Sequence, residues 1–185
     1  MKIKVCGIRD AAFAAEAARH VDYLGFIFEP SSPRYVTVEQ AAAIAASLGD
    51  TVRRRVRLVG VFVRGTPDEI AATMHRAGLD VVQLHRRASA ADVAALRAAG
   101  YEVWTLAGGA EGDGFLFDSS HGDGETAFRK GGYKSILAGR IGVENVAAAR
   151  RLGPDVLDVN SSLETKPGVK DAGLLAEFLR AFASA

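Results

Sequence analysis

One cysteine stands among the 185 residues, at a position where chemistry is easily built. Cys6 ends the short apolar run Ile3–Cys6 and is followed by Gly7. A thiol at a strand end could act as a thiolate base or nucleophile, or it could be a small buried hydrophobe. Asp118 closes another apolar run, Phe115-Leu116-Phe117. A carboxylate there is either a turn or helix cap or a general acid whose pKa burial raises. Arg34, between Pro33 and Tyr35, is an ordinary surface arginine or a planar fork for a carboxylate or phosphate. His85 could be a base or a positioned hydrogen-bonding group. Gly139-Arg140 and Ser161-Ser162 follow two further apolar runs, where backbone N–H groups commonly bind phosphate.

These residues share one placement, the end of a short apolar run. The runs Ile3–Cys6, Tyr23–Phe28, Leu58–Val63, Val81–Leu84, Val103–Leu106, Phe115–Asp118, Ser135–Ala138 and Val156–Val159 predict eight strands, apolar on both faces as parallel strands are. Helical patterns lie between them: Ala11–Arg19, Val38–Leu48 after Thr37, Pro67–Arg76 after Thr66, Ala90–Ala99 between Ser89 and Gly100, Val143–Arg151, and Asp171–Phe182. This alternation implies right-handed βαβ units in a parallel sheet. Eight strands favour a closed barrel over an open doubly wound sheet, which the pattern alone also allows. In a barrel the C-terminal strand ends form the active face. The other polar residues there, Gln83 and His85 after strand four and Asp158 in strand eight, are expected to contact substrate. The basic run Arg53-Arg54-Arg55 with Arg57 precedes strand three, at the opposite end, and reads as a solvated turn.

Composition narrows the class. Hydrophobic residues make up 49% of the chain, enough for one packed domain over residues 1–185. With 23 basic and 22 acidic residues the net charge is +1, which gives no footprint for nucleic acid or an anionic membrane. A single thiol makes neither an intrachain disulfide nor a CxxC zinc site, and the N-terminus lacks a signal-peptide pattern. No apolar run is long enough to span a membrane. The expectation is a cytoplasmic protein, with a monomer favoured. The sequon Asn160-Ser161-Ser162 then reads as a chance match.

Taken in order, the stretches Lys4-Val5-Cys6-Gly7-Ile8, Gly25-Phe26-Ile27-Phe28 with Ser32-Pro33-Arg34-Tyr35-Val36, Val59-Gly60-Val61-Phe62, Val82-Gln83-Leu84-His85, Leu137-Ala138-Gly139, Asp158 through Glu164, and Pro167-Gly168-Val169-Lys170-Asp171 resemble the phosphoribosylanthranilate isomerase family across nearly the whole chain. The resemblance implies a (βα)8 TIM barrel and an Amadori rearrangement of a small-molecule substrate, an aminoaldose phosphate, in tryptophan biosynthesis, without metal or cofactor. It implies Cys6 as the general base at ribose C2 and Asp118 as the general acid at the ring oxygen. Arg34 is then the holder of the anthranilate carboxylate, and Gly139, Arg140, Ser161 and Ser162 the phosphate cradle. The chain departs from the family pattern at Gly122-Asp123-Gly124-Glu125, at Arg140 in place of a second glycine, and at Arg86 after His85. A histidine-pathway sugar-phosphate isomerase and a barrel that binds a phosphorylated ligand without turnover are the alternatives. Cys6 stands where the former class has aspartate.

One helix is expected to be missing. Only Ala107 to Gly114, with glycines at 108, 109, 112 and 114, separates strands five and six. Each glycine costs about 1 kcal/mol in a helix interior, so a direct, flexible crossover is expected. Either Glu102, Trp104 and Leu106 or Val103 and Thr105 would then face outward without a helix of their own. The helices after strands four and six, or a partner subunit, could cover them.

Overall fold

The structure, a computed structural model, describes residues 1–118 and 133–185. The strands are β1 (Lys2–Val5), β2 (Tyr23–Ile27), β3 (Arg57–Phe62), β4 (Val81–Leu84), β5 (Glu102–Leu106), β6 (Gly114–Asp118), β7 (Lys134–Ala138) and β8 (Val156–Val159). They pair in sequence order, all parallel, and β8 pairs back onto β1, which closes the barrel and rules out the open sheet. Around it lie α1 (Ala11–Ala17), α2 (Val38–Ser47), α3 (Gly49–Arg53), α4 (Pro67–Ala77), α5 (Ala90–Ala98), α6 (Val146–Arg151) and α7 (Ala172–Ser184). A 3-10 turn at Ser161–Leu163 leads into a hairpin of β9 (Glu164–Lys166) and β10 (Val169–Lys170).

Local chemistry sets these boundaries. Thr37, Thr66 and Ser89 each close a capping box, with Gln40, Glu69 and Asp92 returning the bond, and Pro67 opens α4. Gly78 ends α4 in the left-handed region, at φ 65°. The helix expected from Val143 starts at Val146 because Asn145 first ties a turn. Its Oδ1 accepts from the Gly142 N–H at 2.9 Å, and its Nδ2 donates to the Arg140 carbonyl at 3.1 Å.

Period-two alternation sorts the strand residues into two cores. Ile3, Val5, Leu157 and Val159 point outward against the helices. Cys6, Tyr23, Val59, Val61, Val81, Trp104, Leu116, Ile136, Ala138 and Val156 fill the interior. Toward the N-terminal end Tyr23 and Trp104 meet edge-on at 5.0 Å, and Trp104 Nε1 donates to Glu102 at 2.6 Å. Arg57 and Lys134 also donate to Glu102, closing that end with charge.

Of the basic run, Arg54 and Arg55 lie in an exposed turn, as expected, while Arg53 is half-buried. Arg53 ends α3 and grips Asp80 with both terminal nitrogens, at 2.9 and 3.1 Å, while Arg55 donates to the Ala18 and Arg19 carbonyls. These arginines satisfy carbonyls and a carboxylate at the strand starts, a demand that charge patterning alone does not reveal.

No helix joins β5 to β6. The crossover is short because the register is staggered: Gly114 pairs with Trp104, so the chain need not return to the foot of β5. Val103 and Thr105 are the outward set, and both are buried. The crossover itself covers them, together with α5. Asp113 N–H donates to the Val103 carbonyl at 2.6 Å, Asp113 Oδ2 accepts from the Val103 N–H at 2.7 Å, and the Thr105 hydroxyl donates to the Ala110 carbonyl at 2.8 Å. The segment is bonded to the strand rather than slung past it. The region after strand six lies outside the described residues, and with it the Gly122-Asp123-Gly124-Glu125 loop.

Candidate active site

The C-terminal ends of the strands surround a cavity of about 350 Å3. Its wall carries Cys6 from β1, Arg34 from the loop after β2, Gln83 and His85 from β4, and Asp118 from β6. Gly139 and Arg140 from β7, and Asp158, Asn160 and Ser161 from β8, complete it. Every residue singled out from the sequence lies on this wall except Ser162. The Ser162 hydroxyl donates to the Ile141 carbonyl, and its side chain packs against Gly142, so it is turned toward the loop after β7.

Cys6 and Lys4 leave β1 on the same face. Asp158 is the register partner of Lys4 on β8, so its side chain emerges beside them. Lys4 is fully buried, and its Nζ donates to Asp158 Oδ2 at 2.7 Å. Burial opposes the charge on Lys4, but Asp158 and the Cys6 sulfur outweigh it and the lysine pKa rises. Burial pushes the Cys6 thiol up against the pull of the Lys4 ammonium, and pushes the Asp158 carboxyl up against the same partner. Space for this group comes from Gly25: a Cβ there would lie 2.8 Å from Cys6 Sγ and 3.1 Å from Lys4 Cε.

Across the cavity His85 Nε2 stands 3.7 Å from Asp118 Oδ2, an ion-pair separation beyond hydrogen-bond range. Two buried acceptors on the wall, Gln83 Oε1 and Asp158 Oδ1, have no hydrogen-bond partner among the described residues. An unpaired buried acceptor costs about 1–3 kcal/mol, so a ligand that donates to both would be favoured there.

Arg34 is already engaged. Its Nε and Nη2 donate to Glu164 Oε1 and Oε2 at 2.8 and 2.7 Å, a two-pronged grip. Lys170 Nζ donates to Glu164 at 3.0 Å and to the Asn160 side chain and carbonyl at 2.7 and 2.8 Å. Burial pushes the Glu164 carboxyl up, but Arg34 and Lys170 outweigh it and hold it below the usual carboxylate range. Gly7, at φ 75°, makes this close approach possible, since a Cβ there would meet Arg34 Cδ and Asn160 Oδ1, each at 2.9 Å. At the other end Gly139 and Arg140 both have positive φ, 110° and 51°. Arg140 is the one non-glycine residue so placed among the described residues.

Lys4, Glu164 and Lys170 were not singled out from the sequence. For Lys4 a signal existed: a lysine two residues before Cys6 in a strand buried on both faces must point where the cysteine points. Glu164 and Lys170 fall in stretches that carry the resemblance, but their meeting with Arg34 is made only by the fold.

Fold and site together define a (βα)8-barrel protein with a thiol, carboxylates and a charged clamp around one cavity on its C-terminal face. Residues 3–181 match the family model described as N-(5'phosphoribosyl)anthranilate (PRA) isomerase. The N-(5'-phosphoribosyl)anthranilate isomerase of Granulibacter bethesdensis is 34% identical over 210 residues, covering 100% of this chain and 99% of the relative. The crystal structure of phosphoribosyl anthranilate isomerase from Thermus thermophilus superposes with a TM-score of 0.83 at 32% identity, covering 100% of this chain and 99% of that one. A further structure of the enzyme, in complex with reduced 1-(o-carboxyphenylamino)-1-deoxyribulose 5-phosphate, gives a TM-score of 0.83 at 25% identity and 100% coverage of both chains. The chain belongs to the N-(5'-phosphoribosyl)anthranilate isomerase family.

Proposed function

We propose that this chain isomerises N-(5'-phosphoribosyl)anthranilate to 1-(2-carboxyphenylamino)-1-deoxyribulose 5-phosphate, the Amadori step of tryptophan biosynthesis. The observation that carries the reading is that Cys6, Asp118 and Arg34 line one cavity in a chain of this family. In the reaction Asp118 gives a proton to the ring oxygen as the C1–O bond opens, leaving a C1 Schiff base. Cys6 takes the proton from C2, and the electron pair moves to form the enolamine, which becomes the ketose on reprotonation at C1. Acid and base sit on strands β6 and β1 of one rigid barrel, so both reach a sugar held between them.

The substrate is anionic at both ends, and the cavity has cationic or N–H groups at two places. Arg34 is assigned the anthranilate carboxylate, through the Nη1 edge that Glu164 leaves. The backbone around Gly139, Arg140, Ser161 and Ser162 is assigned the phosphate, and Ser162 contributes there only through its main chain. Gln83, His85 and Asp158 are assigned contacts to the sugar, Gln83 and Asp158 through their unmet acceptors. The chain is assigned to the cytoplasm, as a monomer that sedimentation would verify.

The test is fluorescence-monitored consumption of phosphoribosylanthranilate by the wild type, Cys6→Ser and Asp118→Asn. The wild type should turn over, and each variant should lose about two or more orders of magnitude while keeping its fold. Near-normal turnover by Cys6→Ser would remove Cys6 as the base, and a wild type active only on the histidine-pathway intermediate would overturn the substrate.

A further inference from the structure

A buried thiol is by itself a poor base, because burial disfavours its charged form. The charged groups facing Cys6 are Lys4 on its own strand, Asp158 on β8, Lys170 on β10 and Arg34 from the loop after β2. Three are cations, yet two of those are committed elsewhere. Lys170 directs its contacts to the Asn160 carbonyl, Asn160 Oδ1 and Glu164, which fills its three N–H donors. Arg34 grips Glu164 with two of its nitrogens. Lys4 makes one carboxylate contact, to Asp158, and lies in the same small space as the sulfur, both crowding the point where a Gly25 side chain would begin.

We infer that Lys4 is a positioning residue that sets the basicity of Cys6, its ammonium stabilising the thiolate while Asp158 holds the ammonium in place. The inference rests on Cys6 being the base. Two partners then compete for one cation. Asp158 anchors Lys4 but also draws its charge away from the sulfur and repels the thiolate. Removing Lys4 should therefore make Cys6 harder to ionise, and removing the Asp158 charge should make it easier. An ion pair that merely holds β1 to β8 predicts no such opposition of sign.

Because Cys6 is the only cysteine, iodoacetamide alkylation of the folded protein reads this one thiol without any substrate. Its rate follows the thiolate fraction, so the midpoint of rate against pH reports Cys6 alone. Lys4→Met should move the midpoint up by about one unit or more, the usual effect of losing an opposite charge in contact. Lys4→Arg should restore it to near the wild-type position, and Asp158→Asn should move it down. If Lys4→Met does not fold, Asp158→Asn decides: a downward shift supports the inference, and no shift or an upward one overturns it. An unmoved midpoint in folded Lys4→Met overturns it as well. The readout is independent of turnover, so an active Cys6→Ser enzyme would fell the base assignment while the alkylation midpoints judge Lys4 separately.

Discussion

Arg34 and Glu164, 130 residues apart in sequence, meet in a two-pronged ion pair, Nε to Oε1 at 2.8 Å and Nη2 to Oε2 at 2.7 Å. The carboxylate that holds the arginine is therefore supplied by the protein before any substrate arrives. Glu164 fixes the plane of the guanidinium on the cavity wall. Charge balance survives this, because Lys170 shares Glu164 and leaves the trio one net positive charge for an incoming anion.

Glu164→Gln should loosen that plane without removing the arginine. We expect KM to rise about tenfold with kcat changed by less than about threefold, since one charge-assisted contact is worth about 1.5–3 kcal/mol. Arg34→Ala should raise KM further, and Arg34→Lys should behave nearer to Ala because an ammonium cannot reproduce the fork. Steady-state kinetics of the three variants decide it; unchanged KM in Arg34→Ala would remove the carboxylate assignment.

Glu102 gives a pH prediction. Burial pushes its carboxyl up, but Lys134, the Trp104 N–H and Arg57 outweigh burial and hold it below its ordinary value of 4.5. A carboxyl depressed in the folded state stabilises above its unfolded pKa and loses that contribution as pH falls through the folded one. Glu102→Gln should therefore cost about 1–3 kcal/mol near neutrality, and the gap to wild type should shrink in acid below about pH 4. Thermal melts from pH 3 to 8 would show it, and a pH-independent gap would contradict the assignment.

The crossover after β5 can be tested at Gly112, where a Cβ would lie 2.6 Å from the Val103 carbonyl oxygen. A backbone atom cannot swing aside, so Gly112→Ala should displace the segment that covers Val103 and Thr105. A loss of about 1–3 kcal/mol is expected, typical of overpacking. Turnover at 25 °C should stay within about twofold, since the cavity is on other strand ends. A melt indistinguishable from wild type would mean that the segment does not cover the strand.

Much of this was readable from residue order. The strands announced themselves as apolar runs between turn residues, and the missing helix followed from four glycines in eight residues. Cys6 and Asp118 were found because polar groups ending such runs are conspicuous. What escaped depended on pairings the chain makes far from itself. The direction of Lys4 was readable from its spacing to Cys6, but its partner Asp158 is set only by the register of β8. Glu164 looks like surface until the hairpin brings it to Arg34. Ser162 stands beside Ser161 in the sequence, which does not show that its hydroxyl is taken by the Ile141 carbonyl. Arg140 was seen as a substitution for glycine, and its positive φ shows what that substitution imposes on the backbone.

Gly25 supplies a last prediction, because it separates shape from charge at Cys6. Its backbone is not in the left-handed region, so alanine there meets no conformational penalty, only neighbours. Those neighbours are Cys6 Sγ at 2.8 Å, Lys4 Cε at 3.1 Å and Cys6 Cα at 3.2 Å from the new methyl. The sulfur can yield by rotating, the buried lysine can yield only slightly, and the Cα cannot yield without moving β1. Gly25→Ala should thus turn the thiol from its working position while leaving Arg34 and the Gly139 end untouched. A displacement near 1 Å can cost about a hundredfold in rate, so kcat should fall by about ten- to a hundredfold with KM changed by less than about threefold. The same crowding should lower stability by about 1–3 kcal/mol. In a Cys6→Ala background the methyl loses its nearest clash, so the stability cost of Gly25→Ala should shrink there. Equal costs in both backgrounds, or an unchanged kcat, would show that Gly25 is not what keeps the space for the sulfur.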